Sequence, residues 1–226
     1  MASNSFASYF SRPQGFALMA HSEVVVGPNG WNGWAAHVSE HNFPLGTQFR
    51  PLSARFPRNS PEMQSYLAVY PLDSPAKITD YWSNLVRHVP QSDRGSYNTW
   101  LTEAAIETVR RADYPDLPSR LESIFAFRCG AEAIRFACHF RTGQMAYIYE
   151  FQPPNGTVMV DMKIWDAGKW DYTQPAATFE MFVAMGYAYW QSATNDLTAR
   201  GLARPELLVP PPVTVIEPAI RFERER

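Results

Sequence analysis

The sequence predicts an α+β fold in which many short strands form two packed sheets with helices inserted between them. Short runs rich in β-branched and aromatic residues end at clusters of Pro, Gly and Asn, which indicates strands separated by turns. Longer segments with apolar residues at helical spacing alternate with these runs. A length of 226 residues suits one domain. We expect an N-terminal arm at 1–15, a single domain at 16–220 with a helical insertion at about 60–113, and a charged tail at 221–226.

The predicted strands follow from composition. Strands are expected at 16–26, 34–39, 121–127, 145–151 and 157–164, and the last two would pair as a hairpin across the turn at 153–156. Two further short strands are expected at 207–209 and 213–216. Three prolines lie between them and cannot occupy a central ladder, so they mark a bulge, an edge or a turn.

The predicted helices have recognisable starts and apolar stripes. Ser60-Pro61 and Ser74-Pro75 each combine a capping serine with a proline in the first turn. Further helices are expected at 97–112, 131–137 and 173–192 from the spacing of their apolar residues. On the helix at 97–112, Glu107 and Arg111 are four residues apart and should form an ion pair.

The overall composition excludes several classes of protein. Apolar residues make up 46% of the chain, enough for a packed core, and a net charge of −2 argues against duplex-DNA binding. A local basic cleft for single-stranded nucleic acid stays open. No apolar run is long enough for a membrane span, so we expect no membrane partner and a cytoplasmic location, or delivery into a target cell by a secretion system. Cys129 and Cys138 predict two buried thiols, since a disulfide framework needs more cysteines.

The common catalytic and metal motifs are absent from the sequence. There is no dinucleotide-binding glycine motif after a strand, no Walker loop, no GxSxG, no HExxH and no CxxC. His37 and His41 have the spacing of metal ligands on a helix, but Phe43-Pro44 follows at once and argues against a helix there. No metal site is therefore predicted.

Three segments, taken in order, resemble the ADP-ribosyltransferase superfamily. They are residues 34–49, a strand carrying His37; residues 119–127 with the small-residue helix that follows; and residues 204–216, where Glu206 heads a short strand before a proline turn. The sequence is also similar to a poorly characterised bacterial family given the same fold, whose pattern is matched by Glu103, Glu107, Arg110, Pro118-Ser119-Arg120, Tyr189-Trp190 and Glu206. The resemblance implies a core of two packed, mostly antiparallel small sheets.

The resemblance also implies NAD as co-substrate and assigns site residues. Glu206 would be the catalytic carboxylate that stabilises positive charge on the ribose as the nicotinamide bond breaks. His37 would hydrogen-bond the ribose hydroxyls, and Arg120 would pair with the pyrophosphate. The nicotinamide pocket would be lined by Ser119 and by Ser123 or Phe125, one of which takes the place of the tyrosine of the His-Tyr-Glu class, with the Phe125 ring packing on the nicotinamide.

Four of these residues also have an ordinary structural explanation. Glu206 is explained as a solvated strand end, His37 as a half-buried histidine and Phe125 as core. Arg120 is equally well explained as an anchor that ties its loop to Glu103 or Glu107.

Two functions from different classes remain after these assignments. The first is an NAD-dependent mono-ADP-ribosyltransferase that acts on a protein or, as a weaker alternative, on a nucleic acid. Such an enzyme would be a bacterial or phage toxin or effector, with an antitoxin or immunity protein as a possible partner. The alternative is a catalytically degenerate member of the fold that binds a protein partner. In that case an exposed aromatic patch is expected from the tryptophans at 31, 34, 82, 100, 165 and 170.

Overall fold

A computed structural model describes residues 34–56, 58–88, 94–140, 145–165, 174–194 and 204–223. The strands of this part of the chain are β1 (Ala35–Ser39), β2 (Ile124–Ala126), β3 (Met145–Phe151), β4 (Val158–Asp161), β5 (Pro205–Val209) and β6 (Ile220–Glu223). Its helices are α1 (Leu52–Arg55), α2 (Pro61–Val69), α3 (Pro75–His88), α4 (Arg94–Asp113), α5 (Gly130–Phe140), α6 (Met162–Trp165) and α7 (Pro175–Thr194). The predicted strand at 16–26 and the arm at 1–15 lie outside the described residues.

The strands form two three-stranded antiparallel sheets, which confirms the predicted α+β class. Their orders are β1-β3-β6 and β2-β5-β4. A two-bond bridge joins them, because Ala36 and Phe127 exchange backbone hydrogen bonds of 2.8 and 2.9 Å. The sheets share an apolar core that includes Tyr149 of β3 and Leu207 of β5. The bridge brings the end of β2 against β1, and this places the segments around His37 and Phe125 side by side.

The predicted hairpin between 145–151 and 157–164 is wrong. β3 pairs with β1 and β6, whereas β4 pairs with β5 in the other sheet. The chain crosses from one sheet to the other through the turn at 153–156, and the predicted second strand gives way to α6 after Asp161. Alternating apolar residues specify which face of a strand is buried, but they do not specify which strand lies beside it.

Residues 221–223, expected as the start of the charged tail, form part of a strand. They belong to β6, which pairs with β3 in a register that sets Arg221 opposite Tyr147. Residues 224–226 lie outside the described part. The segment expected as a strand at 213–216 makes an isolated bridge instead, through hydrogen bonds from Phe49 N to Val213 O and from Val215 N to Thr47 O.

The helices of the predicted insertion share a hydrophobic core with the sheets. Within α2, α3 and α4 many apolar residues at helical spacing are buried, including Ile78 and Leu101, which are fully buried, whereas Leu67 and Val86 are exposed. They pack with α7 and with Leu208 of β5 in a single cluster. Ser60 caps α2 as predicted, since its hydroxyl accepts a hydrogen bond of 3.2 Å from Met63 N. No helix in the described ranges is both long and apolar enough to cross a membrane.

Two expectations about side-chain exposure are corrected by the structure. Trp100 is buried, and Trp34, Trp82 and Trp165 are half-buried, so these residues do not form the exposed aromatic patch. The tryptophans at 31 and 170 lie outside the described residues. Of the two free thiols, Cys138 is half-buried, but Cys129 is exposed rather than buried. It directly precedes α5, and its backbone carbonyl accepts a hydrogen bond from Ala133 N.

Candidate functional site

A buried ion-pair cluster occupies the place where the segments singled out in the sequence meet. Arg120, which lies just before β2, donates from Nε to Glu103 Oε1 of α4 at 2.9 Å. Its Nη1 is in hydrogen-bonding contact with Glu206 Oε2 at the start of β5. All three side chains are almost completely buried, with 3%, 2% and 2% exposure for Arg120, Glu103 and Glu206. The cluster therefore holds two carboxyl groups against one guanidinium away from water.

Aromatic side chains surround the guanidinium. Arg120 Cζ lies 4.4 Å from the ring centroid of Phe125, 5.5 Å from that of Trp165 and 5.6 Å from that of Tyr189. Such distances allow cation–π attraction, which strengthens when the cation is desolvated. Two of these rings also take part in the hydrogen bonding. Arg120 Nη1 donates to the Tyr189 hydroxyl at 2.7 Å, and Trp165 Nε1 donates to Glu103 Oε1 at 3.1 Å.

Burial and charge act in opposite directions on the ionisable groups. Burial lowers the pKa of Arg120, but the negative charges of Glu103 and Glu206 outweigh it and raise that pKa well above its usual range. Burial has the opposite effect on a carboxyl group and raises the pKa of Glu103. Arg120 opposes this rise, and the like charge of Glu206 adds to it. The Oε2 atom of Glu103 is buried and has no hydrogen-bond partner. Glu103 is thus the group of the cluster whose charged form is least well supported.

His37 adjoins this cluster through β2. Its Nδ1 lies 2.8 Å from the carbonyl oxygen of Phe125, and its ring packs on Phe49 with the centroids 4.6 Å apart. A carbonyl oxygen only accepts hydrogen bonds, so Nδ1 must carry the proton. His37 is buried, at 4% exposure, rather than half-buried. Its ring is therefore fixed in one orientation beside the strand that carries Phe125.

The two serines of the predicted pocket make contacts that stabilise the turn before β2. Ser119 Oγ donates to Glu107 Oε2 at 3.0 Å, and Ser123 Oγ donates to the backbone oxygen of Ser119 at 2.7 Å. Glu107 also pairs with Arg110 and with Arg111, at 2.8 and 3.2 Å, which confirms the predicted Glu107–Arg111 pair. Ser119 and Ser123 are thus engaged in holding the loop that delivers Arg120 to the cluster.

The structure brings four of the six predicted site residues into one continuous line of contacts. The line runs from His37 to Phe125 through a hydrogen bond, from Phe125 to Arg120 through a ring contact, and from Arg120 to Glu206 through an ion pair. Glu206 is buried, contrary to its explanation as a solvated strand end. The alternative explanation of Arg120, an anchor to Glu103, corresponds to an observed ion pair.

Glu103, Trp165 and Tyr189 belong to the same cluster, although none of them was predicted from sequence as a site residue and Glu103 was expected only as a possible anchor of Arg120. The sequence signal for Glu103 was its setting, an acidic residue within the run Leu-Thr-Glu-Ala-Ala-Ile, whose members are all buried. Tyr189 was noted only as part of a family pattern and Trp165 only as a surface aromatic. Their meeting depends on α7 packing against α4 and α6, which no local pattern reveals.

The arrangement can support chemistry that needs a carboxylate in a low-dielectric site. Charge stabilisation by Glu206 would be strong there because little water screens it. Its burial also means that a substrate can reach the carboxylate only after covering side chains move. Among the described residues, no group of three or more His, Cys, Asp or Glu side chains is arranged to hold a metal ion.

Comparison with known proteins places the chain in a family. No curated protein is a significant match to its sequence. The profile of the family described as "Protein of unknown function (DUF2441)" matches residues 64–221, which is well over half of the chain. The match includes Glu103, Arg120 and Glu206 and begins after His37. The chain therefore belongs to the DUF2441 family.

Proposed function

We propose that this protein is an NAD-dependent mono-ADP-ribosyltransferase that modifies a macromolecular acceptor, with protein as the favoured acceptor and nucleic acid as the weaker one. One observation carries the proposal. The three chain segments that resemble this superfamily lie far apart in sequence, yet His37, Phe125 and Glu206 are linked by direct contacts through Arg120. A histidine, an aromatic ring and a carboxylate are the residue types that the resemblance assigns to the NAD site.

In the proposed reaction the bond between the ribose C1′ and the nicotinamide nitrogen breaks, and its electron pair goes to the nicotinamide. The nucleophilic atom of the acceptor forms the new bond to C1′. Glu206 would stabilise the positive charge that develops on the ribose and would accept the proton that this atom loses. His37 would hold the ribose hydroxyls, while Phe125 would contribute about 1 kcal/mol by packing on the nicotinamide ring. Ser119 and Ser123 would support this pocket through the turn that they stabilise.

The fit of NAD to these residues is partial. A carboxylate, an aromatic ring and a buried carboxyl oxygen without a partner suit a polar, ring-containing ligand. Two nitrogens of Arg120 are already bound by Glu103 and Glu206, so a pyrophosphate would have to compete with both carboxylates for it. Since Glu206 is 2% exposed, the proposal also requires that NAD binding uncover this side chain.

The decisive experiment measures nicotinamide release and label transfer from NAD. Purified wild-type protein, Glu206→Gln and the control Glu122→Gln would each be incubated with labelled NAD and a cell lysate. Glu122 is an exposed glutamate two residues after Arg120, which makes it a matched control. We expect Glu206→Gln to lose activity by about 10²-fold or more, as when an electrostatic stabiliser is removed, and Glu122→Gln to retain it.

The NAD-dependent melting temperature separates the outcomes. NAD at 100 times its Kd should add about 2.7 kcal/mol, which corresponds to roughly 5–10 °C in a domain of this size. Equal activity in wild type and Glu206→Gln would remove Glu206 from the mechanism. Absence of both activity and NAD stabilisation would refute the proposed function, and label on RNA rather than protein would identify a nucleic-acid acceptor.

A second candidate, a catalytically degenerate member of the fold that binds a protein partner, is favoured by one observation. The Glu103–Arg120–Glu206 cluster is sealed and satisfies most of its own hydrogen bonds, as a structural ion-pair network does. Two results would favour this candidate over the enzyme. One is stabilisation by NAD without nicotinamide release, and the other is neither nicotinamide release nor a change in melting temperature when NAD is added.

A further inference from the structure

The cluster of Glu103, Arg120 and Glu206 has an unbalanced charge if every group is ionised. Two carboxylates and one guanidinium leave a net charge of −1, and each side chain is 3% exposed or less. An uncompensated charge at such a depth is strongly unfavourable. Among the described residues, Arg120 is the positively charged group that acts on Glu103. The titratable or polar groups that face Glu103 from the packed elements are Tyr66 of α2, Arg120, Trp165 of α6, Tyr189 of α7 and Glu206 of β5.

The two carboxyl groups are held differently by the same guanidinium. Glu206 Oε2 is bound by Arg120 Nη1, which also donates to the Tyr189 hydroxyl. Glu103 receives two donors, Arg120 Nε and Trp165 Nε1, but both reach the same atom, Oε1. The other oxygen of Glu103, Oε2, is buried and receives no donor. A bare carboxylate oxygen in that position is costly, whereas a protonated one carries no charge.

We propose that the cluster holds one proton on Glu103, so that Glu103 is a neutral acid at pH 7 and Arg120 forms a neutral pair with Glu206. The carboxylates of Glu103 and Glu206 would repel each other beside the single guanidinium of Arg120. Binding one proton removes this repulsion, which favours a neutral Glu103. The raised pKa of Glu103 agrees with the geometry. The role of the pair in catalysis rests on the proposed function: Arg120 is then the positioning residue that orients Glu206, and Glu103 holds Arg120 without competing for its charge.

The sign of the pH dependence follows from the proton. A carboxyl whose pKa is raised by folding stabilises the folded state fully below its unfolded value, about 4.3. That contribution is lost as the pH rises through the folded value. Glu103→Gln keeps an oxygen for Arg120 Nε and Trp165 Nε1 but cannot ionise. As the pH rises from the unfolded to the folded pKa of Glu103, the melting temperature of Glu103→Gln should therefore increase relative to that of wild type by about 3–5 °C per pH unit.

The direct test is infrared spectroscopy of the full chain at pH 7. Wild type carrying carboxyl-labelled glutamate should show a protonated-carboxyl carbonyl band that shifts with the label. Glu103→Gln should lose this band, and the exposed-site control Glu122→Gln should keep it. If no labelled protonated carboxyl is present at pH 7, the proposal is overturned. This measurement on wild type needs no variant to fold.

The activity readout tests the positioning role separately. Nicotinamide release by Glu103→Gln should lack the decline at high pH that ionisation of Glu103 causes in wild type, whatever its level at pH 7. Arg120→Lys keeps the charge but not the two-sided geometry, so kcat should fall by about 10²-fold with a smaller change in KM. If the protonated-carboxyl band is present but NAD does not react, the proton on Glu103 is supported and only the proposed function is refuted. If the enzyme is active but the band is absent, the proton on Glu103 is refuted and the proposed function stands.

Discussion

Helices α4 and α7 are in close contact at Gly186, and this contact offers a sharp test of the packing around the site. A Cβ added at Gly186 would lie 2.8 Å from Val109 Cγ2, 3.2 Å from Val109 Cβ and 3.3 Å from the carbonyl oxygen of Ala105. Real Cβ atoms essentially never approach another heavy atom as closely as 2.8 Å. Gly186→Ala must therefore move Val109 or separate the two helices. The same helices carry Glu103 and Tyr189, so their spacing sets the width of the buried cluster.

The magnitude follows from two opposing effects. Overpacking costs about 1–3 kcal/mol, and the higher helix propensity of Ala over Gly returns about 1 kcal/mol. Gly186→Ala alone should therefore lower the free energy of unfolding by about 0–2 kcal/mol. Val109→Ala removes Cγ2 and with it the shortest contact. In that background the contacts of 3.2 and 3.3 Å remain, so Gly186→Ala should cost less than in wild type without becoming free of strain, which gives a coupling energy of about 1–2 kcal/mol between the two positions.

Urea denaturation of wild type, both single variants and the double variant measures this coupling. The control cycle combines Gly186→Ala with Val86→Ala, the same side-chain change at an exposed position of α3. Its two changes should add within about 0.5 kcal/mol. If the Val109 cycle is also additive within that margin, the close approach of α4 and α7 at Gly186 is refuted.

Two further substitutions test hydrogen bonds around the site. Tyr189→Phe removes the hydroxyl that accepts from Arg120 and should cost about 1.5–3 kcal/mol in urea denaturation, whereas Tyr187→Phe, which removes an exposed hydroxyl, should change little. Thr108→Val leaves the N–H of Leu72, now bound to Thr108 Oγ1 at 2.8 Å, buried without an acceptor and should cost about 1–3 kcal/mol. The exposed control Thr79→Val should stay within about 0.5 kcal/mol of wild type. Equal losses in either pair would contradict the assigned bonds.

Much of the local structure could be predicted because its signals are local. The helices beginning at Pro61 and Pro75 each combine a preceding serine with a stripe of apolar residues, and the strand at 145–151 shows a dense β-branched and aromatic composition. These features act over one or two turns of chain, where propensity and solvent exposure decide the conformation. The α+β class follows from their alternation along the sequence.

The site was predictable only in part, because local signals do not report contacts between distant parts of the chain. The resemblance singled out His37, Arg120, Phe125 and Glu206, which the fold brings into contact. It did not indicate that Arg120 would be shared between two carboxylates. That depends on Glu103, whose ionisation is decided by the absence of water rather than by its neighbours in sequence.

The sequence by itself determined the α+β class, most helix positions and the identity of the residues at the centre of the candidate site. Only the tertiary structure decided that β3 and β4 belong to different sheets, that β6 is formed from a charged segment, and that Glu206 is buried. Strand pairing and burial depend on contacts between residues far apart in the chain, and hydrophobic periodicity reports only which face is covered. Whether a glutamate is solvated or sealed against an arginine is decided by what packs over it.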